Sequence, residues 1–381
     1  FLGSEGSADP ASVLFKRMAD PVLGLFFCGM CLGLILRRHG IDQAIARLAF
    51  RLSQGNPRKA LRYAMLATAS LAMWTTNSTA MAICLPAFGG AVDLLQTQNP
   101  KQARGFLIGL AMAANFGGMA TPIGTAPNAL AIAALEESFP ISFGSWMAMM
   151  LPLAILLILI TEFLVVRIFY RYASSAVHIP TQSRSFLPMN PWALALFLGT
   201  VGLWLTESWH GIHPLAIGFG AASLGFFSRL LQTEDLKDID WDVLLLIAGG
   251  LLLGHLLEEA GWMKRIAANM QNLGLGELAQ MALIILMAAI GSAVSSNTAT
   301  AVLMIPLAMQ VDPQPYSAIA VAVACSIGVP FTISTPANAL IAGRYKVKNL
   351  DLMKVGLPLT FGGCLLLVFT VKYAVQWILQ R

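Results

Sequence analysis

Long apolar stretches recur along this chain. Runs at about 21–36, 106–133, 147–169, 191–208, 212–231, 243–257, 316–343 and 356–379 are apolar nearly throughout. A bilayer core about 30 Å thick takes roughly 20 helical residues, so these runs predict membrane-crossing helices. Two further apolar segments, about 63–90 and 278–310, carry a polar cluster at mid-length: Thr75–Thr79 in one, Ser295–Thr300 in the other. Each is too long for one simple crossing and too short for two. Both read as re-entrant helical hairpins with the polar cluster at the tip. Irregular backbone at membrane depth survives only where protein or a wet cavity surrounds it.

Two of the spans are interrupted. "GGMATPIGTAPNAL" (117–130) and "GVPFTISTPANAL" (328–340) cannot form continuous helices, because proline removes an N–H and clashes with the preceding turn. Each predicts two half-helices with unwound backbone between them. Half-helix N-termini present free N–H groups suited to anions, and unwound carbonyls suit a small cation. Between the first apolar run and the first hairpin, "IDQAIARLAFRL" (41–52) sets Ile41, Ile45, Leu48 and Leu52 on one face and Arg47 and Arg51 on another, an interfacial amphipathic helix. The segment 262–273 is its counterpart.

These elements occur twice. "PVLGLFFCGMCLGLILRRHG" (21–40) aligns without a gap on "DVLLLIAGGLLLGHLLEEAG" (242–261), pairing Gly29 with Gly250 and Gly33 with Gly254. "TTNSTAMAICLP" (75–86) aligns on "SSNTATAVLMIP" (295–306), and "GTAPNAL" (124–130) on "STPANAL" (334–340). The first copy leaves its opening span with Arg37-Arg38 and the second with Glu258-Glu259. That contrast fits copies inserted upside down to each other, since basic residues collect in cytoplasmic loops. With segment 37–62 in the cytoplasm and each hairpin returning to its own side, 18 of the 24 Lys and Arg residues fall inside. The other six, Lys16, Arg17, Lys264, Arg265, Lys372 and Arg381, fall outside.

The expected fold is an all-α polytopic membrane protein, an inverted-repeat transporter with two re-entrant helical hairpins and two broken transmembrane helices. A polar N-terminal segment covers 1–20, the first repeat 21–190 and the second 191–381. The second copy has two spans before its aligned block and the first has none, so at least two N-terminal helices are expected to be missing from the first.

Composition narrows the function. Of 381 residues, 57% are hydrophobic and 11% charged, against about 25% charged in soluble domains, which excludes a soluble enzyme or a nucleic-acid binder. The five cysteines lie in apolar runs and read as small buried hydrophobes. Residues 63–92 and 278–311 contain no charge at all. An anion bound at those tips would meet hydroxyls, amides and helix dipoles but no Lys or Arg. Co-bound cations are then the simple source of compensating charge. Glu162, Glu207 and His255 are further intramembrane ionisable groups, each readable as a transport residue or as a partner between helices. "GSAVSS" (291–296) loosely resembles a serine-nucleophile motif with no histidine near it in sequence, so an intramembrane enzyme is the alternative from another class.

The residues at the tips and breaks resemble the divalent-anion/sodium symporter family, the transporters of dicarboxylates, citrate and sulfate. The resemblance covers almost the whole chain. It rests on Thr76-Asn77-Ser78 and Ser296-Asn297-Thr298 at the tips, "TAPN" (125–128) and "TPAN" (335–338) at the breaks, and "IDWDVLLLIAGGLLLG" (239–254). The first tip reads TNS where the family has SNT, and each break has one proline where the family has two. The resemblance implies a sodium-coupled symporter of elevator type in the plasma or inner membrane, usually a homodimer. Its substrate would be a small divalent anion, expected to be a C4-dicarboxylate. Sodium-independent exchange, or sulfate or citrate as substrate, is the alternative within transport. Carried over by position, one sodium site would use Ala72, Thr76, Asn77 and Gly124, and the other Ser292, Ser295, Asn297 and Ser334. Substrate would touch Thr76, Asn77, Ser78, Thr125, Ser296, Asn297, Thr298, Thr335 and Pro336.

Overall fold

The computed structural model describes residues 20–170 and 188–379. The polar N-terminal segment, apart from Asp20, lies outside the described residues, as do Lys16, Arg17, Arg171, Arg184 and Arg381 of the charge count. What is described is helical. In chain order the helices are α1 (Pro21–Arg38), α2 (Ile41–Ser53), α3 (Pro57–Ala72), α4 (Asn77–Ala87), α5 (Gly89–Gln98), α6 (Pro100–Gly118), α7 (Ala126–Leu135), α8 (Phe143–Phe169), α9 (Pro191–Leu205), α10 (Glu207–His210) and α11 (Pro214–Phe227). After a 3-10 turn at Thr233–Asp238 come α12 (Trp241–Glu259), α13 (Trp262–Gln271), α14 (Glu277–Val294), α15 (Asn297–Val311), α16 (Pro315–Ile327), α17 (Pro336–Tyr345) and α18 (Asn349–Leu379). Among the described residues five helices are long and apolar enough to cross a membrane: α1, α8, α12, α14 and α18. The chain is a multi-span membrane protein.

The boundaries follow local chemistry. Pro opens α1, α3, α6, α9, α11, α16 and α17, where its missing N–H costs nothing. Asn56 caps α3 by accepting from Arg58 N (2.9 Å) and Lys59 N (3.2 Å). The first arm therefore begins at Pro57, ahead of the apolar run expected from 63, because its opening turn carries Arg58, Lys59 and Arg62. Beyond residue 90 it continues into α5, with a 64° bend between α4 and α5. The spans expected at 191–208 and 212–231 are shorter than a full crossing, at 15 and 14 residues. The first of them ends at Leu205, and Glu207, two residues on, accepts from Phe143 N (2.8 Å) at the start of α8. Glu162 is also a structural partner: Arg62 Nε donates to both its oxygens, at 2.8 and 3.0 Å, tying α3 to α8.

The deepest layer is formed by α6 and α16, which lead into the two breaks. Every residue from Phe106 to Gly118 and from Pro315 to Ile327 is buried. Both stretches are rich in small residues, Ala and Gly in the first and Ala and Ser in the second, which let helix backbones approach closely when neither lipid nor water supplies a driving force between them. Helix α6 packs on α3, α4, α5 and α8, while α16 packs on α14, α15, α18 and α7. A Cβ built on Gly117 would lie 2.5 Å from the Ala69 carbonyl oxygen of α3, and one on Gly328 would lie 2.5 Å from the Ala289 carbonyl oxygen of α14. The helices that carry the aligned glycines dock differently. Gly33 of α1 sits against Thr75 and the Trp74 carbonyl at the end of α3, whereas Gly250 and Gly254 of α12 sit against Val302 and Pro306 along α15. The end of α1 is tied to the 3-10 turn that leads into α12, with Arg37 paired to Asp238 and Arg38 to Asp235.

Overpacking of this kind costs typically about 1–3 kcal/mol. Gly117→Ala is expected to lower the melting temperature in detergent, because the clash is with backbone, whereas Gly199→Ala, with open space around it, leaves it unchanged.

Candidate functional site

The two breaks are held open by buried carboxamides. Helix α6 stops at Gly118 and α7 begins at Ala126, and the carbonyls between them have no helical partner. Asn128, on the first turn of α7, turns its Nδ2 back onto them: 2.8 Å from Thr121 O, 3.1 Å from Gly118 O and 3.3 Å from Met119 O. Asn338, on the first turn of α17, does the same with Phe331 O (2.9 Å) and Val329 O (3.1 Å). In both breaks the amide reaches carbonyls seven and nine residues upstream. Both side chains are fully buried. A hydroxyl from each break also caps an aligned carbonyl at the end of the arm: Thr121 Oγ1 donates to Met73 O, just past α3, and Ser334 Oγ donates to Ala293 O at 2.7 Å, in the last turn of α14.

The first tip, residues 73–76 between α3 and α4, docks into its break. Trp74 anchors it, with its ring edge-on to Phe197 (5.3 Å between centroids) and parallel to Phe143 at 6.4 Å. Asn77 opens α4. Its Nδ2 donates to Asn115 Oδ1 at 3.4 Å, while its Oδ1 is buried with no hydrogen-bond partner. A methyl on Gly118 would sit 2.4 Å from that oxygen and 2.9 Å from Gly124 O. A methyl on Gly124 would sit 2.4 Å from Gly118 O and 3.0 Å from Ala72 O. Four oxygens thus crowd the contact between the two glycines, and one is an orphan acceptor. Leaving such a group buried and unpaired costs roughly 1–3 kcal/mol, which a small cation would recover. The donor set is neutral oxygen only, the chemistry a hard monovalent ion prefers.

The rest of the first tip faces elsewhere. Thr76 caps α4, its Oγ1 accepting from Thr79 N (3.2 Å) and donating to Asp240 Oδ2 at 2.7 Å; Thr79 Oγ1 lies 3.3 Å from the same carboxylate. Asp240 precedes α12, so a carboxylate from outside the hairpin already rests on the tip's hydroxyls. Ser78 is half-buried and Thr125 is buried ahead of α7.

The second tip is built differently. Ser292 is fully buried, and its Oγ lies 2.8 Å from Asn297 Oδ1 and 2.5 Å from Cys325 O. The oxygen of Asn297 is therefore engaged where that of Asn77 is free. Ser295, expected as a sodium ligand, is exposed; Ser296 is half-buried and Thr298 buried. Ser334 is buried and bonded to Phe331 N (3.1 Å) as well as to Ala293 O. Thr335 caps α17 through Asn338 N (3.2 Å), and Pro336 is exposed. Ala72, Asn77 and Gly124 thus lie together around the contact of Gly118 with Gly124. Ser292 and Asn297 form a second cluster, which Ser334 approaches through the end of the same arm.

A profile for citrate transporters (CitMHS) matches residues 6–324. The chain belongs to the citrate transporter family. This member is 29% identical to an uncharacterised transporter of Haemophilus influenzae over 93% of this chain and 81% of that one. It is 25% identical to the sodium-dependent dicarboxylate transporter SdcS of Staphylococcus aureus, covering 96% of this chain and 78% of the relative. It is also 26% identical to the inorganic phosphate transporter PHO87 of Saccharomyces cerevisiae, spanning 34% of that longer protein. Among solved structures, the YdaH transporter of Alcanivorax borkumensis superposes with a TM-score of 0.64 at 16% identity, over 98% of this chain and 91% of that one. This citrate-transporter-family member is a secondary transporter and not an enzyme.

Two site residues escape a reading of the sequence. Asn115 is one amide inside the otherwise apolar stretch Phe106–Gly118, with partners 38 and 223 positions away. Asp240 lies in the "IDWD" block, but nothing local announces that it reaches Thr76. Gly124→Ala drives a methyl against the carbonyl oxygens of Gly118 and Ala72. It is expected to abolish any sodium-specific rise in melting temperature, whereas Gly343→Ala, which meets nothing, preserves it.

Proposed function

We propose that the protein is a sodium-coupled symporter of a small divalent anion, with a C4-dicarboxylate as the expected substrate. The observation that carries this is the orphan Asn77 Oδ1, which lies with the carbonyl oxygens of Ala72, Gly118 and Gly124 around the close contact of Gly118 with Gly124. Sodium bound there, and a second ion beside Ser292, Asn297 and Ser334, supply the positive charge that the uncharged tips lack. The anion binds between the tips, on Thr76, Asn77 and Ser78 from one and Ser296, Asn297 and Thr298 from the other, with Thr125, Thr335 and Pro336 at the breaks. Ion binding fixes Asn77 and the break first, so apparent anion affinity rises with sodium. Similarity to a sodium-dependent dicarboxylate transporter supports this choice of substrate and ion.

Alternating access follows from the repeat, taken as inverted, with re-entrant hairpins at its tips. Aligned glycines dock at non-aligned places: Gly33 at Thr75, Gly254 at Val302 and Pro306. Val302 and Pro306 align with Ala82 and Pro86, so the two docking registers differ by seven residues or more. At 1.5 Å per residue that is a slide of about 10 Å. Exchanging the registers carries hairpins and breaks past α1 and α12, as an elevator does, and breaks the Thr76–Asp240 contact on the way. The moving unit works within a homodimer in the cell membrane.

The test is uptake of radiolabelled succinate into proteoliposomes with and without an inward sodium gradient, with parallel arms for citrate and phosphate. Sodium-stimulated succinate uptake, lost in Asn77→Ala and Asn297→Ala, is the expected result. Exchange that ignores sodium would overturn the coupling. Uptake confined to citrate or phosphate would overturn the substrate.

A further inference from the structure

The free oxygen of Asn77 exists only because its amide nitrogen is held, and the holder leads across the molecule. Asn115, buried in α6, accepts from Asn77 Nδ2 through its Oδ1 (3.4 Å) and donates from its own Nδ2 to Asn338 Oδ1 (3.3 Å). Asn338 in turn spends its Nδ2 on Val329 O and Phe331 O, the unwound backbone of the second break. Each amide has a defined sense. Turning any one over would set N–H against N–H or oxygen against oxygen, at a site with almost no water contact. Asn115 is 1% exposed and Asn338 0%. The chain of three therefore points the oxygen of Asn77, and not its nitrogen, at Gly118 and Gly124.

The second half supplies an internal control. The position aligned with Asn115 is Cys325, which carries no amide. The acceptor aligned with Asn338 Oδ1 is Asn128 Oδ1, and it is buried without a partner. Where the asparagine is present the break's carboxamide is satisfied from across the molecule, and where it is absent the carboxamide is not. Nor is the second tip's asparagine oriented in this way, since its oxygen lies against Ser292 Oγ.

We infer that Asn115 is a positioning residue for the first cation site: it orients Asn77 and ties that orientation to the second break, so that the two halves of the site are set together. This rests on the sodium-symport reading above. Asn115 itself need not touch the ion. A residue acting this way governs sodium more than anion, and its loss lets the Asn77 amide rotate.

The experiment is sodium dependence of uptake by Asn115→Ser and by Asn115→Cys, the residue found at the aligned position. Anion KM is measured at saturating sodium, and the melting temperature is taken without sodium. Losing one buried hydrogen bond that orients the ligand should raise the half-saturating sodium concentration about tenfold, equivalent to about 1.4 kcal/mol. Anion KM should stay near wild type, and the sodium-free melting temperature should fall by a few degrees, because Asn338 Oδ1 loses its donor. An unchanged sodium response in a folded variant would overturn the inference, as would anion KM rising in step with sodium. If Asn115→Ser does not fold, Asn115→Cys decides on the same criteria. Should both fail to fold, Asn115 is a structural residue and the inference falls. Wild-type uptake that ignores sodium would instead defeat the symport reading itself, so the two failures are distinguishable.

Discussion

Backbone that leaves the helix inside a membrane must find partners for its carbonyls, and this constraint organises the molecule. Each unpaired group at that depth costs several kcal/mol. The protein meets the cost twice in the same way, with an asparagine on the first turn of the following half-helix reaching back seven and nine residues. Once Asn128 and Asn338 are fixed, the breaks have a shape. Once the breaks have a shape, the tips have something to dock against. The glycines follow from this: Gly117, Gly118, Gly124 and Gly328 lie where backbone meets backbone and no side chain fits.

The same arrangement creates the opening for chemistry. A fully satisfied core would hold the breaks rigidly and do nothing. Among the buried side-chain polar atoms around the first break, Asn77 Oδ1 and Asn128 Oδ1 are without a hydrogen-bond partner. The first of these borders the carbonyls of Gly118, Gly124 and Ala72. The result is a cluster of neutral oxygens with no formal charge, near hydroxyls that hold a carboxylate, as Thr76 and Thr79 do with Asp240. Under the proposed function, an anion arriving at those hydroxyls would meet a tethered competitor, and the tip would part from Asp240 to bind it.

Much of this was legible in the chain because the signals were local. Polar clusters in apolar runs marked the regions of the tips, and proline and glycine in "GGMATPIGTAPNAL" and "GVPFTISTPANAL" marked the breaks. The bounds were less legible where charge interrupts hydropathy, as at Arg58 and Lys59, which concealed the first turn of α3. Glu162 and Glu207 could be read as transport residues, yet each is absorbed by a partner far away in sequence, Arg62 and the start of α8. The contrast between the tips, Asn77 free and Asn297 engaged, depends on side-chain direction, which no periodicity encodes. Asn115 and Asp240 were hidden for the same reason: their roles exist only across distances of 38 to 223 residues.

The central claim is that the oxygens around Gly118 and Gly124 hold sodium. The most direct measurement is a pair of cryo-EM maps of the full chain in lipid nanodiscs, one in sodium and one in choline. The account predicts density at coordinating distance from Asn77 Oδ1, Ala72 O and Gly124 O in sodium and none in choline. Identical density in both maps, or an Asn77 oxygen turned away from Gly118 and Gly124 in sodium, would contradict it.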